Sequence, residues 1–515
     1  MSDRQPKSNE QPKGARDRMR DDPNPVFAER ILKPIFEVNS EHNFDRLIAA
    51  HRAWITMLAE NNIVPRERAT SVLHGLADIE KEGPNSLQPF DPAIEYYYLH
   101  MERALCERVP GGDASVSDLN LGRTRPEPLT RMFLRDALIR ILKGVVRFRG
   151  ELLERADAES DTVMPGYTHL QHAQPTTLGH YLLAIHDHLE RDTKRLLAAY
   201  ETTDQCTLGC GAMSGTSLPV DRERVRKLLG FGALCENTLD SVSASDHVTE
   251  AASALAGLMT IIGRFSQDLY VWSSQEFAMI DVSDSFSSPS SLMPQKKNAL
   301  VLEYIRSRMA RTVAALTGCF TVLHNVGYMD TEEVEFEVYQ PLLDAITLTE
   351  QALPTIIAVV SALEPDRELM RARTAWGFSA VTALAEAVYT HTDLSNRGAH
   401  RIVARAVRLA VESGKDASAI DAALLARAAE EILGHRIDVE PSVIAECIDP
   451  DRFIHSHAVT GGPAPQEVRR MAAERRDRLG RDEKTIAERQ AMLAAGEKLL
   501  REAVAKFDKA TVKAS

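Results

Sequence analysis

Nine residues at positions 290–298 combine hydroxyls, cations and a carboxamide in the order Ser-Ser-Leu-Met-Pro-Gln-Lys-Lys-Asn. A core helix needs apolar residues at a spacing near 3.6, and here Pro294 follows only two of them. The run therefore favours a loop that handles a carboxylate. In such a loop Ser290 can abstract a proton, while Lys296 and Asn298 hold the negative charge that results. A polar surface loop without catalytic function is the alternative.

A second polar cluster, at 164–175, reads Met-Pro-Gly-Tyr-Thr-His-Leu-Gln-His-Ala-Gln-Pro. It predicts a loop at the entrance to a long helix. His169 is an acid/base candidate, because histidine is the usual proton-transfer residue, and Thr168 and Gln171 can donate hydrogen bonds to carboxylate oxygens. Helix N-termini also favour anions, which suits the same chemistry. A purely structural histidine is the alternative interpretation.

A third cluster, Asn-Leu-Gly-Arg-Thr-Arg at 120–125, places two guanidinium groups beside a glycine that permits a tight turn. Arg123 and Arg125, with Asn120 and Thr124, are predicted to clamp a dicarboxylate. Ordinary surface charge is the alternative.

No motif indicates a metal or an organic cofactor. The six cysteines are scattered without paired spacing, and the histidines at 180, 186 and 188 form no metal motif. A solvated helix face is the predicted place of these three histidines. The glycine-rich segment at 209–215 lacks G-x-G-x-x-G spacing and follows no strand pattern, so no nucleotide site is predicted.

Charge and hydropathy narrow the class of protein. The net charge of -13 and the pI near 5.7 disfavour nucleic-acid binding and a basic membrane surface. No apolar run of about 20 residues and no leader of the signal-peptide type are evident. We therefore expect a cytoplasmic protein with reduced cysteines and no membrane partner.

Hydrophobic periodicity predicts an all-α protein with a central helical bundle. Apolar residues recur at steps of four and three from Leu134 to Leu152, which is typical of helices packed at a shallow angle. Three further long helices are predicted, over 178–196, 248–277 and 300–323, and their length suggests association between subunits. The predicted organisation is a disordered tail (1–26), an N-terminal helical domain (27–118), the central bundle (119–363) and a C-terminal helical domain (364–515).

The three clusters together resemble the argininosuccinate lyase branch of the fumarase/aspartase superfamily, over about residues 35 to 480. The run at 290–298 is similar to the family signature G-S-S-x-M-P-x-K-x-N. Residues 165–175 resemble the segment P-G-Y-T-H-L-Q-x-A-Q-P. Leu-Pro-Val-Asp-Arg-Glu at 218–223 resembles a stretch typical of the same branch.

The resemblance implies a three-domain fold, a homotetramer and active sites shared between three subunits, without a metal or cofactor. By position, Ser290 is the base that produces an aci-carboxylate. Lys296, Asn298 and Thr168 bind that carboxylate, and His169 with Glu303 forms the acid side. The other implied substrate-binding residues are Ser291, Gln171, Asn120, Arg123, Thr124 and Arg125.

Because the chain departs from the family pattern, the resemblance does not fix the identity of the leaving group. Pro289 stands where the family signature has glycine, and the segment Asp-Thr-Glu-Glu-Val-Glu-Phe-Glu at 330–337 is strongly acidic. Acidic residues can face a cationic amine. We therefore predict that the substrate is an N-substituted aspartate such as ethylenediamine-N,N'-disuccinate. A solvated helix face is the alternative for the acidic run. Argininosuccinate is the alternative substrate, and a non-catalytic, crystallin-like homologue is the alternative from another class.

Overall fold

The computed structural model describes residues 21–124 and 128–511, with side chains to residue 507. Most of the predicted tail, 1–26, lies outside the described residues, and the first helix begins at Pro25. The N-terminal helices are α1 (Pro25–Phe27), α2 (Lys33–His42), α3 (Phe44–Glu60), α4 (Arg66–Glu82), α5 (Tyr97–Arg108) and α6 (Asp113–Val116). A π-helical turn, Ala28–Leu32, joins α1 to α2.

The central region contains five long helices and short strands between them. Its elements are α7 (Leu129–Ala158), β1 (Val163–Thr168), β2 (Gln171–Thr177), α8 (Leu178–Thr203), β3 (Gln205–Cys206), α9 (Arg222–Leu228), β4 (Ala233–Leu234), α10 (Thr238–Ser243), α11 (Asp246–Trp272), β5 (Ile280–Asp281), β6 (Ser288–Pro289), β7 (Lys297–Asn298), α12 (Leu300–Leu323) and α13 (Tyr339–Ser361).

The C-terminal elements are shorter until the last helix. They are β8 (Glu364–Pro365), α14 (Arg367–Trp376), α15 (Val381–His391), α16 (Asn396–Glu412), α17 (Ala422–Leu433), α18 (Pro441–Ile448), α19 (Pro450–Ser456) and α20 (Pro465–Thr511). The all-α prediction is confirmed, since the strands form only two-stranded ribbons among the described residues.

The bundle forms because each long helix carries a wide apolar stripe. The stripe predicted from Leu134 to Leu152 is buried on α7, and it packs against α8, α13 and α20. Helices α11 and α12 pack side by side, and α13 lies against both α12 and α7. The sequence pattern missed α13 because Pro354 lies inside it and breaks the expected helical signal.

The last helix, α20, packs on two cores. Val468 and Leu479 are buried in the bundle core, whereas Leu500 and Phe507 are buried with the N-terminal helices. The residues buried between 384 and 444 form a separate, smaller core. The predicted domain boundaries stay a prediction, but the helix that ends the described chain does not pack with that smaller core.

Two segments, Asp246–Trp272 and Glu333–Ser361, are long and apolar enough to cross a membrane by length and composition alone. The expectation that no such run exists was therefore wrong. In the fold, 67% and 56% of these apolar windows are buried inside the protein, as in the core helices of a bundle.

Candidate functional site

The residues 290–298, here called the serine loop, close a small hairpin. Ser288 pairs with Asn298 in the β6–β7 ribbon, and the Ser290 N–H donates to the Lys296 carbonyl at 3.3 Å. The Lys296 N–H donates to the Met293 carbonyl at 3.1 Å, which makes a β-turn with proline in its favoured second position. The predicted loop is thus a structured hairpin tip.

The hydroxyl of Ser290 lies in a pocket of backbone amides. Its Oγ accepts hydrogen bonds from the N–H of Met293 at 3.0 Å and of Leu292 at 3.3 Å. Donors to an oxygen favour its ionised form over its neutral form. This geometry suits a serine that must act as a base. Ser291, next to it, is exposed.

The two neighbouring lysines of the serine loop differ in their contacts. Lys297 Nζ pairs with both oxygens of Asp281 at 2.9 Å and with Asp284 at 2.8 Å, and these carboxylates raise the pKa of Lys297. Lys296 is exposed and makes no ion pair with any described residue. Asn298 donates to the Ser288 carbonyl at 3.1 Å, which leaves its second amide hydrogen for a ligand. Lys297 is therefore occupied by carboxylates of its own chain, and Lys296 is available.

The second cluster is a β-hairpin and not the loop that the sequence predicted. Strands β1 and β2 pair antiparallel up to Thr168 opposite Gln171, so that His169 and Leu170 alone form the turn. Both turn residues have positive φ, +55° and +58°, as in a type I′ turn. The side chains of residues 168–171 are all exposed. Non-glycine residues in this region are uncommon and cluster at functional sites. We call Thr168 to Gln171 the hairpin tip.

Glu303 lies in the first turn of α12, just beyond the serine loop. Its Oε1 accepts a hydrogen bond from the Tyr270 hydroxyl at 3.2 Å. Among the described contacts within one chain, none joins Glu303 to His169. The predicted acid-side pair is therefore not a contact within the described part of one chain.

The third cluster is held by helix α3. The Trp54 indole donates to the Leu121 carbonyl at 3.1 Å. Gly122 has a φ of +71°, and a Cβ there would come within 2.9 Å of Thr216, so both conformation and space require glycine. We call residues 120–124 the arginine loop. Arg125 lies outside the described residues.

The guanidinium of Arg123 is buried against a histidine that sequence reasoning missed. Arg123 Nη2 lies 3.0 Å from His51 Nδ1, which must accept the hydrogen bond because arginine can only donate. Burial and then the charge of Arg123 hold the pKa of His51 well below its usual range. His51 is therefore neutral and orients the guanidinium.

One cleft brings the arginine loop and the acidic run together. Its volume is about 410 Å³, and it is lined by Asn120, Arg123 and Thr124, by Asp330, Glu332 and Glu335, and by Tyr96, Tyr98 and Phe336. The Tyr96 hydroxyl donates to Glu332 at 2.9 Å. Partial burial raises the pKa of Glu332, and so do the neighbouring carboxylates, although the Tyr96 hydrogen bond opposes this. The cleft carries groups for both anions and cations.

The acidic run is the π-helical turn Glu333–Glu337 with the residues before it, and we call 330–337 the acidic segment. Its own Phe336 stacks on Tyr96 at 6.2 Å, and Tyr96 stacks in turn on Tyr98 at 5.6 Å. Aromatic faces attract cations. Tyr96 belongs to no sequence motif, and only its position in the fold identifies it as a candidate site residue.

The arginine loop and the hairpin tip lie at opposite ends of the bundle. The arginine loop precedes α7 and the hairpin follows it, and a helix of 30 residues is about 45 Å long. Tyr167, beside the hairpin tip, contacts Met279 and Phe277, which lie near the serine loop. A substrate cannot reach all three clusters of one chain.

The prediction that all three histidines of α8 lie on a solvated face is wrong for His186, whereas His180 and His188 are half-buried. His186 is fully buried, and His180 bonds to Thr176 and to the Gly461 carbonyl. His186, Asp187 and Glu190 are close enough to share a cation. Both carboxylates, however, already make two-oxygen contacts with Arg475 and Arg478 of α20. The cluster is a salt-bridge network between helices.

Sequence comparison finds two families along the chain. Residues 27–314 match a family described as Lyase, and residues 378–455 match one described as Argininosuccinate lyase C-terminal. Argininosuccinate lyase 1 of Shouchella clausii is 31% identical over 96% of this chain and 99% of its own. Argininosuccinate lyase of Halorhodospira halophila is 35% identical over 84% and 91%, respectively.

Solved structures agree with the sequence comparison. An EDDS lyase in complex with formate has a TM-score of 0.85 and 30% identity, covering 95% of this chain and 96% of that one. A fumarate lyase from Mesorhizobium sp. BNC1 has a TM-score of 0.69 at 19% identity, over 86% and 97%, and shows the shared fold alone.

Proposed function

Because this chain belongs to the argininosuccinate lyase branch of the fumarase/aspartase superfamily and is a carbon–nitrogen lyase, we propose that it releases fumarate reversibly from an N-substituted aspartate carrying a cationic amine. The observation that supports a cationic amine in the substrate is the cleft, in which the arginine loop faces the acidic segment. An aminocarboxylate such as ethylenediamine-N,N'-disuccinate fits this description.

The reaction begins with proton abstraction by Ser290. The proton leaves the carbon next to a carboxylate, and the electron pair moves into that carboxylate to form an aci-carboxylate with two negative charges. The amides of Met293 and Leu292 lower the cost of an ionised Ser290. Lys296 and Asn298, with Thr168 from the hairpin tip, hold the new charge.

The carbon–nitrogen bond then breaks, and the amine takes a proton. An aliphatic amine with a pKa near 10 leaves as a cation at neutral pH, so positioning matters more than acid strength. Carboxylates of the acidic segment and the faces of Tyr96 and Phe336 stabilise that cation. His169, paired with Glu303 of another copy, completes the acid side.

The site requires several copies of the chain. The arginine loop and the hairpin tip are separated by the length of α7, about 45 Å. Helix α12 buries one face in its own bundle, while the opposite face exposes small and apolar residues, among them Ala310, Val313, Ala314 and Phe320. That face suits close packing of helices between copies, as in a homotetramer with shared sites.

The test is to follow fumarate consumption by ultraviolet absorbance with a panel of amines, including ethylenediamine and arginine. We expect turnover with at least one diamine and none with Ser290→Ala. Loss of fumarate with arginine alone would instead favour argininosuccinate, which the curated relatives at 31–35% identity support. No turnover with any amine by the folded protein would overturn the proposal.

A further inference from the structure

A small chamber with both polar and apolar lining residues adjoins the cleft and shares Thr124 and Glu335 with it. Its volume is about 80 Å³, which is enough for one small polar group. The other polar lining residues include Arg131, His247, Thr207 and Ser241. Apart from Thr124, none of these residues belongs to the three clusters described above.

Arg131 is a buried cation that has no carboxylate partner among residues 21–124 and 128–507. Arg131 is only 6% exposed, and its Nη1 donates a hydrogen bond to the Thr202 carbonyl at 2.8 Å. Asp240 and Asp246 favour its charge from a distance, but no described carboxylate lies within salt-bridge distance of it. A buried guanidinium without an ion pair is costly.

Two other buried arginines have the carboxylate partner that Arg131 lacks among the described residues. Arg135 pairs with Asp204 at 2.9 Å, and Arg149 pairs with Asp482 at 2.5 Å. Both are at least as buried as Arg131, and both have an anion in contact. The chamber beside Arg131 is the place where an anion would complete the same arrangement.

His247 is a second buried polar group in the lining of the chamber. The residue is 7% exposed, and its Nδ1 is buried without a hydrogen bond to any described residue. Burial and then the charge of Arg131 hold the pKa of His247 well below its usual range. A neutral imidazole can donate one ring N–H to an anion.

We infer that this chamber is a carboxylate subsite for the leaving amine, formed by Arg131 and His247. The inference rests on the proposed lyase function and deepens it. The ammonium of the amine lies in the cleft by Glu335, and a carboxylate on the same amine enters the chamber. The preferred leaving group is then an aminocarboxylate rather than a simple diamine.

The experiment compares ethylenediamine with 2,3-diaminopropionate, which differs only by a carboxylate, as amine donors to fumarate. In the wild-type protein we expect kcat/KM to favour the carboxylated amine by about tenfold or more, as charge-assisted hydrogen bonds predict. Arg131→Met and His247→Phe should each reduce this ratio to about threefold or less. Arg140→Gln is the control, because Arg140 lies on the same helix in an exposed pair with Glu350.

Melting temperature gives a readout that does not need turnover. Arg131→Met removes an unpaired buried charge, so the variant should melt no lower than wild type, whereas a structural ion-pair role would lower it. 2,3-Diaminopropionate should raise the melting temperature of wild type more than ethylenediamine does. Neither variant should show that difference.

The outcomes separate the two proposals. Fumarate consumption without any preference for the carboxylated amine would overturn the subsite and leave the lyase. An equal loss for both amines in the variants would place the carboxylate on the succinyl half and also overturn it. No consumption with any amine would overturn the lyase, and the melting shifts would still decide whether the chamber binds a carboxylate.

Discussion

At the scale of single residues, Lys296 and Lys297 are adjacent in sequence but differ in environment. Lys297 is held by Asp281 and Asp284, while Lys296 makes no ion pair with a described residue. We expect Lys296→Ala to lower kcat by about 10²- to 10³-fold, because a preorganised donor to the aci-carboxylate is lost. Lys297→Ala removes exposed pairs worth about 0 to 1 kcal/mol and is the matched control. Initial rates with fumarate and amine measure both, and equal losses would contradict the assignment.

His51 gives a pH dependence of stability. Its pKa in the folded protein lies well below the usual value, so the unfolded chain binds its proton first as the pH falls. Its contribution to stability is therefore present above about pH 6.5 and is lost below it, by at most about 1.4 kcal/mol per pH unit. His51→Gln keeps an acceptor for Arg123 and does not titrate.

Urea unfolding between pH 7 and pH 5 measures this difference. Wild type should lose stability more steeply than His51→Gln. His247 has a lowered pKa as well, but it is present in both proteins and cancels in the comparison. Parallel curves would show that His51 is not neutral in the fold.

At the scale of elements, the hairpin tip stores backbone strain. Leu170 has a φ of +58° and is 68% exposed, so it gains little from packing. The left-handed region costs an ordinary residue about 1 to 2 kcal/mol, and asparagine tolerates it better. Leu170→Asn should therefore raise the melting temperature, and Leu170→Val should lower it. Thermal unfolding followed by circular dichroism tests the order of the three proteins.

Helix α20 is held to the bundle by ion pairs of unequal weight. Arg149 is fully buried and pairs with Asp482, whereas Arg476 and Asp157 form a pair at the surface. Asp482→Asn leaves a buried charge without its main partner and should lower the free energy of unfolding by about 3 kcal/mol. Asp157→Asn should lower it by less than about 1 kcal/mol. Denaturant unfolding compares the two, and equal effects would contradict the importance of burial.

At the scale of the whole molecule, shared sites predict complementation. Arg123→Ala and Ser290→Ala damage different clusters, which different copies would contribute to one site. The two inactive variants, unfolded and refolded together, should regain part of the activity, because some mixed sites contain neither change. Ser290→Ala mixed with Lys296→Ala is the control, since both changes lie in the serine loop. No recovery in the first mixture would exclude sites shared between copies.

The local sequence was enough to predict most of the long helices and the candidate reactive residues. The stripe from Leu134 to Leu152 predicted α7 because helical periodicity is a short-range property. The motif at 290–298 predicted a loop because Pro294 and the polar residues oppose a helix, and it named Ser290 and Lys296. The hairpin escaped notice because His169 and Leu170 lack the Asn-Gly signal of a two-residue turn.

The nine residues around Ser290 thus predicted the chemistry from sequence alone, whereas only the tertiary structure decided which other clusters share a cleft. The arginine loop and the acidic segment are some 200 residues apart, and no periodicity indicates that they line one cleft. The environment of Arg131, which pairs with no described carboxylate, and the neutrality of His51 also depend on burial, which is a property of packing. Sequence spacing reports contacts along one element, but a site between elements is set by how their apolar faces pack.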